Sequence, residues 1–158
     1  MKILGIGLPR TGTYSLATAF NFLGYATKHY PETIEDIAKY QACSEVRFEP
    51  KNLLKKYPNS KFVYTTRNID DWLKSCRKHS LHHKAEWNPF WLNPNDWIKI
   101  YEEKLRKIEG MPNLLIMNVC QGEGWEKLCP FLGVEAPNKT FPFLNQSSSY
   151  IPPTKFFL

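Results

Sequence analysis

The sequence lacks the features that mark membrane-spanning and secreted chains. It contains no run of about 18 apolar residues, so no membrane span is expected. Its start has no basic region ahead of a long apolar segment, so no signal peptide is expected either. The four cysteines include no C-x-x-C pair, which is typical of reduced thiols in an intracellular protein. We therefore predict a cytoplasmic location.

Blocks of charge and internal repeats are also missing. The 158 residues carry a formal net charge of +6, which suits anionic ligands. The lysines are scattered instead of clustered, so nucleic acid is not a predicted partner. The length fits one domain. We predict a single domain over 1–158, with its core over 1–135 and a C-terminal segment over 136–158 that wraps the surface.

Apolar strand runs alternate with amphipathic helices along the chain. The predicted strands and extended segments are 3–6, 25–28, 42–48, 61–66 and 113–118. The predicted helices are 15–23, 32–40, 50–57, 68–79, 96–108 and 125–132. In the helix at 96–108, one apolar face is predicted from Trp97, Ile100, Tyr101 and Leu105. The alternation indicates a three-layer α/β fold, in which helices flank a parallel sheet of about four to five strands.

The segment after the first strand has the composition of a phosphate-binding loop. Gly7 and Gly12 have the spacing G-x-x-x-x-G, and a helix follows. The backbone N–H groups of such a loop and the N-terminus of the helix attract an anion. One arginine and several hydroxyl side chains add further donors. The predicted binding residues are Pro9, Arg10, Thr11, Gly12, Thr13, Tyr14 and Ser15.

This loop differs from a Walker A motif in the position of its cation. A Walker A loop has Lys and then Ser or Thr after its second glycine, whereas Thr13 and Tyr14 follow Gly12 here. Because the Walker lysine serves the phosphates of a magnesium-bound nucleotide, ordinary hydrolysis of ATP or GTP is not expected. A kinase of nucleotides or phosphometabolites with an altered loop stays an alternative. A plain strand-turn-helix with a polar turn explains fewer of the loop's side chains.

A second anion site is predicted where the strand over 61–66 ends. Arg67 follows that strand and should lie at the carboxyl edge of the sheet, where ligands of open α/β proteins bind. An arginine can hold a phosphate through two parallel hydrogen bonds. Ser75 lies eight residues further on, in the following helix.

These motifs resemble those of sulfotransferases that use 3′-phosphoadenosine 5′-phosphosulfate. The loop L-P-R-T-G-T-Y-S-L at 8–16 resembles their 5′-phosphosulfate loop. The segment 62–75, with Arg67 and Ser75, resembles their 3′-phosphate motif, and 122–134 with 141–145 resembles their C-terminal part. The resemblance covers 3–145 and weakens over 80–112, where acceptor-binding segments vary. It implies the P-loop topology shared with nucleoside triphosphate hydrolases and sulfuryl transfer to a hydroxyl or amine.

The resemblance also implies roles for individual residues. The loop, Arg67 and Ser75 would bind the donor, with adenosine 3′,5′-bisphosphate as product and no metal required. Arg10 holds the position of a family Lys or Arg and would neutralise charge on the leaving phosphate. The family places a His or a carboxylate as general base about twenty residues before the 3′-phosphate arginine. Glu45 fits that place and His29 is the alternative, although many close relatives have Asp-x-Pro where this chain does not.

Several other patterns leave alternatives open. Glu45 could have a purely structural role instead, in an ion pair with Arg47 or Lys51. The spacing H-x-x-H-H of His79, His82 and His83 has no matching cysteine or carboxylate, so no metal site is predicted. Two tryptophans outside regular helical spacing, Trp87 and Trp91, are candidates for stacking on a sugar.

The acceptor is the part of the reaction about which the sequence says least. The resemblance implies a hydroxylated acceptor without identifying it. Because the chain is shorter than most members of the family, its acceptor side is either reduced or completed by another subunit, as in a homodimer. A binding module that keeps the nucleotide fold without catalysis is a further alternative.

Overall fold

The computed structural model describes residues 1–82 and 89–144, apart from the side chains of His82, Pro89 and Leu92. Five parallel strands form one sheet in the order β2-β3-β1-β4-β5. The strands are β1 (Ile3–Gly5), β2 (Thr27–His29), β3 (Ala42–Ser44), β4 (Lys61–Thr65) and β5 (Leu114–Met117). The predicted α/β class and the parallel sheet are confirmed.

Helices connect the strands and cover the sheet. They are α1 (Thr13–Phe22), α2 (Ile34–Lys39), α3 (Pro50–Lys56), α4 (Ile69–His82), α5 (Pro89–Leu92), α6 (Trp97–Ile108) and α7 (Trp125–Leu132). Helix α2 begins two residues later than predicted, because Thr33 and Asp36 form a reciprocal capping box at its start. At α4, Asn68 Oδ1 accepts from the backbone N–H groups of Asp70 and Asp71, which caps the helix.

The core lies on both faces of the sheet, since successive side chains of a strand point to opposite faces. Ile3 and Val63 pack with residues of α1 and α7 on one face. Leu4, which follows Ile3, and Phe62, which precedes Val63, pack with residues of α2, α3 and α6 on the other face. This arrangement gives the three predicted layers.

The structure corrects one detail of α6. Trp97, Tyr101 and Ile108 are buried, but Leu105, which we predicted on the apolar face, is 40% exposed. At 100° per residue, Leu105 lies at the flank of the stripe that the three buried residues form.

The C-terminal part of the described chain joins the core. Phe141 packs in the cluster on the α1 face, beyond the core boundary of 135 that the sequence predicts. Further along, the backbone N–H of Leu144 donates to Ser15 Oγ at 2.9 Å. The rest of the predicted wrapping segment, from 145 on, lies outside the described residues. Within the described ranges, no helix is long and apolar enough to cross a membrane.

The sheet order places the two predicted anion-binding segments side by side. Strands β1 and β4 are parallel neighbours, so the segments that follow them leave the same edge of the sheet. Gly7 makes their close approach feasible, because a Cβ at this position would lie 2.0 Å from Thr65 Oγ1. Tertiary packing therefore explains the first glycine of the loop without reference to a ligand.

Candidate functional site

The loop after β1 ends in a helix N-terminus that no side chain caps. Gly12 is the N-cap of α1, with a φ of 95° that favours glycine. The backbone N–H groups of Thr13, Tyr14 and Ser15 have no partner inside the helix, because the first turn of any helix leaves them free. The first turn also contains no acidic residue. The positive end of the helix dipole thus faces no acidic side chain of its own helix and can attract an anion.

The hydroxyl groups of the loop are engaged within the protein. Thr11 Oγ1 donates to the Leu8 carbonyl at 2.6 Å and lies 2.7 Å from Thr65 Oγ1. Thr13 Oγ1 donates to Glu45 Oε2 at 2.8 Å. These hydroxyls shape the loop, and the donors that it leaves for a ligand are backbone N–H groups. The sequence could not separate the two roles.

Arg10 and Arg67 lie next to each other in the site. Arg67 Nη1 donates to the Arg10 carbonyl at 3.1 Å, and Arg10 Nε donates to Ser75 Oγ at 3.1 Å. Among the described residues, neither arginine forms an ion pair. Burial lowers the pKa of Arg10, and the charge of Arg67 lowers it further, against the opposing effects of Cys76, Cys120 and Glu45. Two neighbouring, partly desolvated guanidinium groups favour an anion between them.

A buried aromatic cluster holds the backbones of both anion-binding segments. Trp72 Nε1 donates to the Pro9 carbonyl at 2.8 Å. The Tyr101 hydroxyl donates to the Arg67 carbonyl at 2.8 Å. Trp72 and Tyr101 pack together, with ring centroids 5.2 Å apart. These positioning roles were not predicted from the sequence, because an indole or phenol that needs a hydrogen-bond partner gives no sign in sequence of where the partner lies.

A cleft of about 410 Å³ brings most of the predicted site residues together. The predicted site residues that line this cleft are Pro9, Arg10, Gly12, Thr13, Tyr14, Ser15, His29, Glu45 and Arg67. Two predicted residues, Thr11 and Ser75, are not among the residues that line it. The Thr11 side chain is buried inside the loop, and Ser75 reaches the site through its hydrogen bond to Arg10.

Glu45 occupies the wall of this cleft beside the start of α1. Its backbone φ is 54°, in the left-handed region, and the residue is 8% exposed. One carboxylate oxygen accepts from Thr13 Oγ1, and the other accepts from Arg47 Nη2 at 2.5 Å. The ion pair with Arg47 that the sequence allowed is therefore present. It does not lie apart from the site, since Arg47 also lines the cleft.

His29, on the neighbouring strand β2, faces the same carboxylate. Its Nε2 lies 3.7 Å from Glu45 Oε2. Ser44 Oγ donates its only proton to the Thr13 carbonyl at 2.8 Å, so at 2.8 Å from His29 Nδ1 it must act as acceptor. Neutral His29 consequently carries its proton on Nδ1 and a lone pair on Nε2. Burial lowers the pKa of His29, Glu45 opposes that shift, and Arg47 adds to it.

The remaining predicted features lie partly outside the described residues. His83 and Trp87 are not described, nor is the side chain of His82. His79 packs against Trp91, with ring centroids 4.5 Å apart, and both line the cleft. Trp91 also contacts Phe90 within the aromatic cluster. No group of three or more His, Cys, Asp or Glu that could hold a metal ion occurs in the described part of the chain.

Comparisons with known proteins identify the family of the chain. The model of the sulfotransferase domain family matches the chain in three overlapping segments, 2–52, 35–109 and 93–150. The chain therefore belongs to the sulfotransferase domain family. The Ava biosynthesis cluster protein M of Aspergillus versicolor is 23% identical over 221 residues, covering 96% of this chain and 83% of that protein. Because this comparison is longer than the 158 residues of the chain, the relative has segments without a counterpart here.

Proposed function

We propose that this protein is an enzyme that transfers a sulfuryl group from 3′-phosphoadenosine 5′-phosphosulfate to a hydroxyl or amine. The observation that carries the proposal is the pair Arg10 and Arg67, which form no ion pair with a described residue and lie beside the start of α1, where no side chain caps the helix. Such a site has room for two anionic groups of one ligand, at the edge of the sheet where α/β proteins bind nucleotides. The family membership supports the same conclusion.

Each end of the donor has its own set of groups in this proposal. The backbone N–H groups of Thr13, Tyr14 and Ser15 hold the 5′-phosphosulfate together with Arg10. Arg67 holds the 3′-phosphate. Because Ser75 Oγ accepts from Arg10, its own O–H remains free to donate to the 3′-phosphate. Ser75 would then join the two ends of the bound donor.

The reaction needs a group that removes the acceptor proton. The acceptor oxygen attacks sulfur, a new S–O bond forms, and the bond to the bridging oxygen of the phosphate breaks. Arg10 stabilises the charge that grows on the departing phosphate. The proton goes to a general base.

The contacts around Glu45 and His29 suggest how these residues share the task. The sequence favours Glu45 as base with His29 as the alternative. Both Glu45 oxygens already accept hydrogen bonds, whereas no described residue donates to His29 Nε2. We therefore propose that His29 Nε2 receives the proton and that Glu45 stabilises the imidazolium that results.

Thermal denaturation tests the donor site. Ligand at about 100 times its dissociation constant adds roughly 2.7 kcal/mol to the free energy of unfolding. Adenosine 3′,5′-bisphosphate should produce such a stabilisation in the presence of a metal chelator, and ATP with magnesium should not. Stabilisation by magnesium–ATP alone would instead identify a kinase. If the bisphosphate binds but labelled donor is transferred to no member of a broad acceptor pool, the protein is a binding module.

A further inference from the structure

A second cleft borders the anion-binding loop. It has a volume of about 220 Å³ and is formed by the loop, the segment after β3, and parts of α5 and α6. Pro9 and Arg47 line both this cleft and the larger one. The two clefts therefore adjoin at these residues, next to the Glu45 carboxylate that Arg47 contacts.

The walls of the second cleft are largely apolar. Leu8, Phe48, Phe90 and Ile100 all line it and are only half-buried. They therefore present apolar surface to whatever enters the cleft. Covering this surface with an apolar molecule is favourable, and a small ligand site usually combines such walls with a few polar groups that orient the ligand.

Among the described residues, Lys104 is the cation of this cleft that forms no ion pair, and Glu103 is the carboxylate of the cleft that forms none. Lys107 Nζ pairs with Glu49 Oε2 at 2.9 Å, and the charge of Glu103 also acts on Lys107. Arg47 is held by Glu45. Lys104, one turn before Lys107 on α6, is half-buried and forms neither a hydrogen bond nor an ion pair with a described residue.

The electrostatic state of Lys104 agrees with this geometry. Burial lowers its pKa to about 8, Glu49 opposes the shift, and Lys107 contributes to it. At pH 7 the ammonium is still charged but poorly solvated. A bound anion would remove this cost, whereas a neutral ligand would bury the charge further.

We propose that the second cleft holds the acceptor, and that this acceptor has an apolar body carrying an anionic group bound by Lys104. The inference rests on the proposed sulfuryl transfer. The acceptor hydroxyl would lie at Pro9 and Arg47, where the clefts meet, and its proton would pass to the base as the S–O bond forms. The apolar walls would hold the body, and Lys104 would select acids over neutral compounds of the same shape.

Binding of matched small molecules tests this selection. The probes are para-hydroxyphenyl carboxylates whose side chain lengthens by one methylene at a time, each compared with its primary amide. Dissociation constants are measured by calorimetry at pH 7 with saturating adenosine 3′,5′-bisphosphate. We expect at least one acid to bind roughly 10-fold or more tightly than its amide, the usual worth of a hydrogen bond to a charged group.

Two variants locate the origin of this preference. Lys104→Met keeps an unbranched side chain of nearly the same length and should abolish the preference, without changing bisphosphate affinity. Lys99→Met removes an exposed charge from the same helix and should keep it. The inference is overturned if no acid binds more tightly than its amide, or if the preference survives Lys104→Met. Failure of the proposed function is a separate result, because then the bisphosphate does not bind to the unmodified protein.

Discussion

Arg10 Nε donates to Ser75 Oγ at 3.1 Å and so joins the loop after β1 to helix α4 after β4. In the sequence, the two residues belong to separate motifs, which the proposed function assigns to opposite ends of one nucleotide. The hydrogen bond places them in one network, to which Arg67 also belongs through the Arg10 carbonyl. Binding at one end of the donor should therefore affect the geometry at the other end.

The first prediction concerns Arg67. Arg67→Ala should weaken the binding of adenosine 3′,5′-bisphosphate by about 10- to 100-fold, because a hydrogen bond to a charged group is worth roughly 1.5–3 kcal/mol. Titration calorimetry measures the loss. Arg77→Ala is the matched control, since Arg77 is exposed on α4 and does not line the cleft. Unchanged affinity in folded Arg67→Ala would remove this residue from the donor site.

The second prediction separates the two candidates for the base. His29→Gln and Glu45→Gln should both leave bisphosphate binding close to normal, since neither residue is assigned to the donor phosphates. We expect His29→Gln to lower turnover by roughly 10²–10⁴-fold, the usual worth of a general base. Glu45→Gln should lower it less, because it removes only the charge that stabilises the imidazolium.

Initial rates at saturating donor provide the measurement for this pair. Glu35→Gln is the control, because Glu35 is exposed on α2 and is not among the residues that line the cleft. Full activity of His29→Gln combined with a large loss in Glu45→Gln would make Glu45 the base, as the sequence alone suggests. Full activity of both variants would exclude His29 and Glu45 as the general base.

The third prediction is a pH dependence. Burial lowers the pKa of His29 below its ordinary value of 6.5, and the base must be neutral to accept a proton. Turnover should therefore persist below pH 6.5 and fall only as the pH passes through the lowered pKa. In His29→Gln this acidic limb should disappear from the residual rate. If the rate falls at the same pH in the unmodified protein and in His29→Gln, the titrating group is not His29.

The same shift affects stability. The unfolded chain binds a proton at His29 more tightly than the folded chain does, so the free energy of unfolding should decrease as the pH falls below 6.5. Well above pH 6.5 His29 is neutral in both the folded and the unfolded state, so its protonation then takes nothing from the free energy of unfolding. Comparing denaturant unfolding of the unmodified protein and His29→Gln over this range isolates the effect. An equal decrease in both would assign it elsewhere.

The fourth prediction concerns the hydrogen bond that holds the loop. Trp72→Phe keeps an aromatic ring in the buried cluster but leaves the Pro9 carbonyl without its donor. We expect a cost of about 1–3 kcal/mol, shared between stability and donor affinity. Trp125→Phe is the control, because it also loses an indole hydrogen bond, to the Lys139 carbonyl, away from the cleft. Only Trp72→Phe should weaken bisphosphate binding, and an equal effect of both would contradict a positioning role.

The sequence by itself determined the secondary-structure elements and the two segments predicted to bind anions. Alternating apolar runs and amphipathic segments are local patterns, so every predicted strand and helix has a counterpart, with shifts of one to four residues at most ends. The loop with Gly7, Arg10 and Gly12 and the Arg67 that closes β4 were readable for the same reason. That both segments leave the same edge follows from the general rule for the carboxyl ends of parallel strands, whereas the strand order made them neighbours.

Only the tertiary structure decided which side chains meet. Strand β3 lies between β1 and β2, and this order brings His29 to Glu45 and Glu45 to Thr13. It also decided that the Thr11 and Thr13 hydroxyls are used inside the protein and that Lys104 lacks a partner among the described residues. Such contacts join residues far apart in sequence, and they depend on sheet order and side-chain packing, which local periodicity does not encode.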